Sequence, residues 1–491
     1  MIFRPRARTA LFALALALAG CSSEPASRNG AVSGGAQFVK LVRDADAAMA
    51  GGALPEAGRL LDEARELEPD NPDLWVAIAR LRFRGGEHLT AIEAADRALA
   101  LGPDHAPALL MRALMVRDAH GRADSLPWFE AAVAADPGYV DARAEYAATL
   151  GDLGRHREML AAVRALAEIA PDDARVFYYQ AVLAQRGGEP VLARSLLERS
   201  GMATDGVPAA LMLAALIDLD QGNHASAAET LDALSQRQPA NVRLRDLLAR
   251  ALLLGGREAE LVTRFAPEAA RPEASRYLLT LLARAHERLG DRAAAAPLLE
   301  RAARQSDGAL MLADRPGLPL PTAGLRQAAA SAGWGTAAMD AQALRGRFPA
   351  SADIAVLAGD TQLGGGNAVA ALEAYALAAR VRRPWVLTRK AVFAYRQAGD
   401  DAAADTLLAR HVAGEPQNVA GLTALAQALA QRGDWQRAAM LLDHAIALGG
   451  GHDPVVLALR SKTARKLGQG DLAAMLAAAH ADLHPASLVK P

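Results

Sequence analysis

An alanine recurs every 34 residues from Ala79 to Ala283, and this constant spacing limits the folds open to the chain. The residues that keep the interval are Ala79, Ala113, Ala147, Ala181, Ala215, Ala249 and Ala283. Most of them follow a proline at a constant distance: Pro69, Pro103, Pro137, Pro171 and Pro239. A fixed period of this length is typical of a solenoid, in which one small unit stacks on its copies, and not of a domain with a single core.

Each period is predicted to contain two short helices joined by a tight turn. Aromatic residues make up only 4% of a chain dominated by alanine and leucine, which favours helix over sheet. A glycine near the middle of each period supplies the left-handed conformation that ends the first helix, and proline ends the second. The turn glycines are Gly86, Gly154, Gly188, Gly222, Gly256, Gly290, Gly399, Gly433 and Gly468. Helices this short are marginal alone, so their stability is expected to come from stacking.

The unit from Pro72 to His105 resembles the tetratricopeptide repeat (TPR). The residues that carry the resemblance, at positions 4, 8, 15, 20, 27 and 32, are Trp75, Ala79, Gly86, Ala91, Ala98 and Pro103. It implies an all-α fold, an α-α superhelix or TPR solenoid of about 13 helix-turn-helix repeats. Repeats of this family form binding surfaces rather than active sites, so the chain is not expected to be an enzyme.

The amino terminus reads as a secretory leader. Arg4, Arg6 and Arg8 precede an apolar run from Ala10 to Ala19, which is too short to span a bilayer and has the length of a leader's apolar region. Cleavage of this leader removes three arginines and no acidic residue, so the formal net charge changes from −1 to about −4. That balance favours neither nucleic acid nor an anionic membrane surface as a partner.

The end of the leader resembles the lipobox of bacterial lipoproteins. Its residues are Leu18, Ala19, Gly20 and Cys21, the single cysteine of the chain. The resemblance implies cleavage before Cys21, lipidation of its thiol and of the new amino terminus, and stable anchoring by several acyl chains. Ser22 follows where an aspartate would signal retention in the inner membrane, so an outer-membrane protein facing the periplasm is predicted.

The repeat frame divides the mature chain into two arrays. Residues 1–20 are predicted to be the signal peptide and 21–37 the acylated cysteine with a flexible tether. An N-terminal TPR array is predicted over 38–305 and a C-terminal array over 322–491. The prolines and glycines of 306–321 are incompatible with regular helix, so this segment is predicted to be a loop insertion, with a hinge or docking loop as the alternative.

Catalytic and metal-binding motifs are absent from the sequence. It contains no HExxH, GxSxG, GxxxxGK[ST] or CxxC pattern. His480 and His484, an i, i+4 pair near Asp482, are the one arrangement typical of a metal site, but two histidines on an exposed helical face are usually solvated. No catalytic residue, cofactor or metal is therefore predicted, and zinc at this pair is the alternative.

In TPR proteins the first helix of each repeat lines a concave groove, at positions 2, 5, 9, 12 and 13. Mapped onto this chain, the resemblance places more basic than acidic residues on that surface, with several aromatic residues. The candidate partner-binding residues are Arg80, Phe83, Arg84, Tyr178, Arg186, Arg250, Tyr277, Arg284, Arg288, Arg389, Phe393 and Arg396. Arginine with occasional aromatics is typical of contact surfaces for proteins or glycans, and an ordinary solvated face is the alternative.

These features together predict a membrane-anchored scaffold that binds proteins in the bacterial cell envelope. The chain resembles TPR lipoproteins of exopolysaccharide export and exosortase-associated systems, which implies a role in assembling an export or secretion complex. Two alternatives remain. One is a pilotin-like lipoprotein for type IV pilus secretins, and the other is a periplasmic module that binds anionic polysaccharide.

Overall fold

A computed structural model describes residues 29–239, 241–271, 274–303, 312 and 322–483. These residues form 26 α-helices and contain no strand. Each of the described helices is either too short or too polar to pass through a bilayer. The predicted signal peptide, Cys21 and nearly all of the predicted loop at 306–321 lie outside the described residues. By its contacts the chain divides into two units, residues 1–69 and 70–491.

The first unit contains one helix pair. Its helices are α1 (Asn29–Ala50) and α2 (Leu54–Leu67). The sequence predicts a flexible tether as far as residue 37, and this is wrong for residues 29–37, which are helical. The segment contains Gly30, Gly34 and Gly35, which weaken a helix, but it contains no proline, the residue that would break one.

The second unit contains the other twelve helix pairs, in two arrays. The first array is α3 (Pro72–Arg84), α4 (His88–Leu101), α5 (Ala106–Ala119), α6 (Arg122–Ala135), α7 (Val140–Asp152), α8 (His156–Ile169), α9 (Ala174–Arg186), α10 (Pro190–Ser200), α11 (Pro208–Asp220), α12 (His224–Arg237), α13 (Val242–Leu254), α14 (Glu258–Ala269), α15 (Arg276–Arg288) and α16 (Arg292–Ala303). The second array is α17 (Ala323–Ala330), α18 (Trp334–Arg347), α19 (Ala352–Gly364), α20 (Ala368–Ala379), α21 (Trp385–Gln397), α22 (Asp401–Gly414), α23 (Val419–Gln431), α24 (Trp435–Ala447), α25 (Pro454–Lys466) and α26 (Gly470–Leu483), with a 3-10 turn at Gly450–His452. Odd-numbered helices are the first of each repeat and even-numbered helices the second. The predicted all-α solenoid of about 13 repeats is confirmed.

The repeated alanines lie inside the helix pairs. All seven have 0% of their surface exposed. Ala181 on α9 packs in one cluster with Ala193 on α10, and Ala283 on α15 packs with Ala295 on α16. A larger side chain would push two helix axes beyond their usual separation of roughly 8–10 Å. This explains why the position keeps a small residue.

The turn between the two helices of a repeat depends on a left-handed residue. All nine predicted turn glycines have a positive φ, between 71° and 82°. The repeat formed by α17 and α18 differs, because Ala332 takes this conformation with a φ of 59° and Gly333 does not. Ala332 is the only residue other than glycine with a positive φ in the described part of the chain.

The two arrays pack against each other within the second unit. In the first array, the contacts are made by turns that join the two helices of one repeat. In the second array, they are made by turns that join one repeat to the next. The backbone N–H of Arg383 donates to the carbonyl oxygen of Asp118 at 2.8 Å, and the N–H of Ala352 donates to Nδ1 of the buried His88 at 3.2 Å. The second of these bonds joins residues 264 positions apart. Repeats distant in sequence are thus neighbours in this unit.

Two glycines allow a close approach of backbone to backbone between the arrays. A Cβ on Gly121 would lie 2.8 Å from the Cα of Gly414, and a Cβ on Gly414 would collide with the carbonyl oxygen of His120. Beside them, the guanidinium of Arg122 forms an ion pair with the carboxylate of Glu415. Backbone can approach backbone this closely because neither glycine has a side chain.

Candidate functional site

The predicted groove arginines divide into exposed and paired groups. Four are exposed and form no ion pair within the described residues: Arg84, Arg186, Arg250 and Arg389. Arg80 is half-buried on α3. Exposed guanidiniums without a nearby carboxylate keep their full charge available to a ligand.

The remaining three arginines are partly neutralised by acidic neighbours. Arg284 contacts Glu287 at 2.6 Å, and Arg288 contacts Glu258 at 3.1 Å. Arg396 lies 3.8 Å from Asp405, which also pairs with a second arginine. The predicted positive face is therefore uneven along the solenoid.

The predicted groove aromatics are largely packing residues. The ring of Phe83 lies 5.5 Å from the guanidinium of Arg382 and packs against the cluster around Tyr375, so it belongs to the contact between the arrays. Phe393 packs against the same cluster. Tyr178 is half-buried between two clusters of the first array. Repeat position alone indicates the groove for both residues. It does not show that the second array covers Phe83, or that Phe393 packs within its own array.

Helices of both arrays bring a small group of basic residues together. Burial raises the pKa of the Tyr277 phenol on α15. Arg250 on α13 lies within electrostatic range of this phenol and lowers the same pKa. Arg389 on α21 has an exposed side chain, but the protein around it partly desolvates its guanidinium and lowers the pKa of that group. Arg276, also on α15, lowers this pKa further. We call Arg250, Arg276, Tyr277 and Arg389 the concave basic cluster, after the groove in which the repeat positions of Arg250, Tyr277 and Arg389 are predicted to lie.

One acidic residue balances part of the concave basic cluster. The guanidinium of Arg276 lies 3.5 Å from the carboxylate of Asp453, which precedes α25 in the second array. Sequence reasoning missed both Arg276 and Asp453, because neither occupies a groove position of the repeat. No sequence signal marks them, since their proximity depends on how the second array packs on the first.

Asp360, a buried ionisable group elsewhere in the unit, is satisfied by hydrogen bonds. Asp360, with no exposed surface, accepts from the hydroxyl of Tyr375 at 2.8 Å and from Nζ of Lys390 at 2.5 Å. Such a network is a packing feature, since its donors and acceptors satisfy one another. In the part of the chain that the structure describes, no three His, Cys, Asp or Glu side chains form a group able to hold a metal. His484, of the histidine pair considered for zinc, lies outside that part.

Sequence comparison supports the repeat assignment. Family models described as tetratricopeptide repeat match residues 43–106, 76–140, 212–260 and 278–309. A search of curated proteins gives no match. Solved structures similar to the chain include a tetratricopeptide repeat protein from Parabacteroides merdae, at 15% identity and a TM-score of 0.26, covering 54% of this chain and 91% of that one.

Two further solved structures show the same kind of similarity. PilW, titled a widely conserved type IV pilus biogenesis factor, is 20% identical with a TM-score of 0.35, covering 43% of this chain and 98% of its own. YrrB, titled a TPR protein with an unusual peptide-binding site, is 18% identical with a TM-score of 0.27. The match covers 37% of this chain and 94% of the YrrB chain. The matched segments and the repeated helix pairs identify the fold of this chain as an all-α solenoid of tetratricopeptide repeats.

Proposed function

We propose that the protein is a lipid-anchored scaffold that holds an acidic segment of a partner protein on its concave basic cluster. The observation that carries the proposal is that Arg250 and Arg389 are exposed and unpaired within the described residues, on first helices of two different arrays. A partner carboxylate would supply the missing counter-charge through charge-assisted hydrogen bonds. Stacked repeats provide such extended surfaces for proteins.

The proposed location is the periplasmic face of the outer membrane of a bacterium. Its support is the leader and the lipobox ending at Cys21, together with Ser22 after it. The partner is proposed to be a component of an exopolysaccharide export or secretion complex. A pilotin-like role in assembling pilus secretins is the alternative within the same class of function.

The cluster is tested by charge reversal with a matched control. In the double variant Arg250→Glu and Arg389→Glu, partners that copurify with the acylated protein from envelope extracts are expected to fall by at least about tenfold. The control is Arg157→Glu with Arg164→Glu, two exposed arginines on the second helix α8. Both doubles change the charge equally, and circular dichroism reports whether helicity is retained. Equal capture by the two folded doubles would exclude the cluster as the docking site.

The anchor is tested separately through Cys21. Wild-type protein is expected to incorporate palmitate and to fractionate with outer membranes, whereas Cys21→Ser is expected to do neither. Incorporation of label by the serine variant would contradict the lipoprotein proposal without bearing on the basic cluster.

The same unpaired arginines favour one other ligand, an acidic polysaccharide. Alginate is a suitable probe, because its carboxylates repeat along the chain. Retention of the protein on immobilised alginate at low salt, lost near 1 M salt and in the Arg250→Glu, Arg389→Glu double, would assign the surface to glycan. Capture of a protein partner without alginate retention would assign it to protein.

A further inference from the structure

A cavity of about 370 Å³ lies between α20, α21 and α22, and no residue of the concave basic cluster lines it. Its apolar lining includes Leu372 on α20, Leu387 on α21 and Leu407 on α22. Two guanidiniums, those of Arg383 and Arg410, line the same space. The cavity therefore joins an apolar body to a cationic end, within the size range of small-molecule sites.

Arg383 is fixed in place by the contact between the arrays. Its backbone N–H donates to the carbonyl oxygen of Asp118, so its position depends on the first array. Its Nε is buried and has no hydrogen-bond partner within the described residues. No carboxylate of the described residues forms an ion pair with Arg383 or with Arg410. A buried donor left without an acceptor is a position that a ligand oxygen can satisfy.

Positive charge extends beyond this one cavity. Arg383 also lines two neighbouring cavities of about 330 and 290 Å³ at the contact between the arrays. The smaller one is lined in addition by Arg112, Arg380 and His120. Burial lowers the pKa of His120, and so do the nearby guanidiniums of Arg383 and Arg410. These basic groups therefore lie within electrostatic range of one another.

Few acidic residues oppose this charge. Asp96 lies 3.5 Å from Arg112, which it neutralises, and Asp118 lies 3.4 Å from Arg382. Asp124 is exposed on α6 and raises the pKa of both Arg383 and His120, against the larger effect of burial. One exposed carboxylate does not balance Arg383 and Arg410 together, so the site has a net positive charge.

We propose that the cavity between α20, α21 and α22 binds a small amphiphilic anion, a carboxylate carrying an apolar chain of medium length. Arg383 and Arg410 hold the carboxylate, and the leucines of the three helices surround the chain. The binding is of a free small molecule, because the space is a cavity of about 370 Å³ bounded by three helices. The proposal goes beyond the scaffold function and rests on different residues.

The probes that test this are octanoate, acetate and octan-1-ol. Acetate has the charged group without the chain, and octan-1-ol has the chain without the charge. Isothermal titration calorimetry on the whole chain is expected to show one octanoate per protein, with acetate and octan-1-ol each at least about tenfold weaker. Octanoate binding no tighter than either fragment would overturn the proposal.

Two variants assign the binding to the cavity. Arg383→Gln removes the charge beside the contact between the arrays, and Arg410→Glu reverses a charge on the exposed face of α22, where it leaves the packing intact. Each is expected to weaken octanoate binding about tenfold or more, the effect of losing one charge-assisted bond. The control Arg437→Gln, on an exposed side chain of α24, is expected to bind as wild type. Wild-type affinity in both Arg383→Gln and Arg410→Glu would refute the assignment.

Discussion

The carboxylate of Asp360 is the most demanding single group in the second unit, because it is charged and has no exposed surface. Lys390 and Tyr375 both donate to it, and a Cβ on the preceding Gly359 would collide with the ring of Tyr375. A buried ion pair that is fully hydrogen-bonded adds little net stability, but removing one partner leaves an unpaired charge. Glycine, tyrosine and lysine are thus required together around one aspartate.

Lys390→Met tests this requirement. The variant keeps the length of the side chain and leaves Asp360 uncompensated, so the free energy of unfolding is expected to fall by roughly 3–5 kcal/mol. Urea denaturation followed by circular dichroism measures the change. The double variant with Asp360→Asn removes the buried charge and is expected to recover part of the loss. A single variant as stable as wild type would show that the aspartate does not depend on Lys390.

Ala332 is a second residue whose environment departs from the repeat. Its φ of 59° is a conformation that glycine adopts in the other turns, so Ala332→Gly is expected to raise the free energy of unfolding by roughly 0.5–1 kcal/mol. Ala330→Gly, two residues earlier in the exposed part of α17, is expected to lower it by about 1 kcal/mol. Thermal denaturation distinguishes the two signs. Destabilisation by both variants would mean that the strain at Ala332 is not relieved by glycine.

His411 makes stability depend on pH. Burial and the nearby Arg383 lower its pKa to about 4, and its ring nitrogens contact Thr388 and Asn418 at 3.1 and 3.0 Å. In the unfolded chain the pKa is about 6.5, so as pH falls from about 6.5 to 4 the unfolded state gains a proton before the folded state does. The contribution of this group is therefore complete above pH 6.5 and is lost toward pH 4.

The difference in unfolding free energy between wild type and His411→Gln isolates this effect. It is expected to decrease by on the order of 2–3 kcal/mol between pH 7 and pH 4. The difference is needed because Asp246 acts in the opposite direction: burial raises its pKa to about 6, so the folded state gains a proton there first as pH falls. A pH-independent difference would show that the pKa of His411 is the same in the folded and the unfolded state.

At the scale of the helices, the sequence predicts what local residues determine. Turn glycines such as Gly86 and Gly222 have the predicted left-handed backbone, and the alanines at position 8 are buried, because both requirements arise within one repeat. Phe83 shows where this reasoning ends. Its repeat position indicates the groove, whereas its ring packs on a cluster of the second array. The contact between the arrays joins residues up to 293 positions apart, a pairing that a local period does not encode.

Gly414→Ala tests the contact between helices of the two arrays. Gly414 ends α22 with an ordinary helical backbone, so alanine adds a collision with the carbonyl of His120 without straining φ. We expect a loss of roughly 1–3 kcal/mol in thermal or urea denaturation. Gly346→Ala, close to the end of α18 with nothing within 4 Å, is the matched control and is expected to stabilise by about 0.5–1 kcal/mol. Stabilisation by both substitutions would contradict the close approach.

At the scale of the whole second unit, the arrays are joined by polar contacts between turns and by apolar packing such as that of Phe83. The ion pair of Arg122 with Glu415 is one of them, and Arg122 also contacts Asp152 at 2.8 Å within the first array. Arg383 lines two cavities at this contact, and its backbone N–H donates across it to the carbonyl oxygen of Asp118. Separation of the arrays would therefore also displace Arg383 and disrupt the proposed anion site. The concave basic cluster also draws on both arrays.

Glu415→Arg places two guanidiniums against each other where the arrays meet. Repulsion is expected to weaken the contact, so small-angle X-ray scattering should show a larger radius of gyration than for wild type, and octanoate binding should weaken with it. Adding Arg122→Glu restores an opposite-charge pair and should reverse most of the expansion; the reversal is incomplete because the new carboxylate faces Asp152. Arg437→Glu, which alters charge on α24 away from the contact, should leave the scattering unchanged. If Glu415→Arg scatters as wild type does, the arrays are held together without this ion pair, and the anion site does not depend on it.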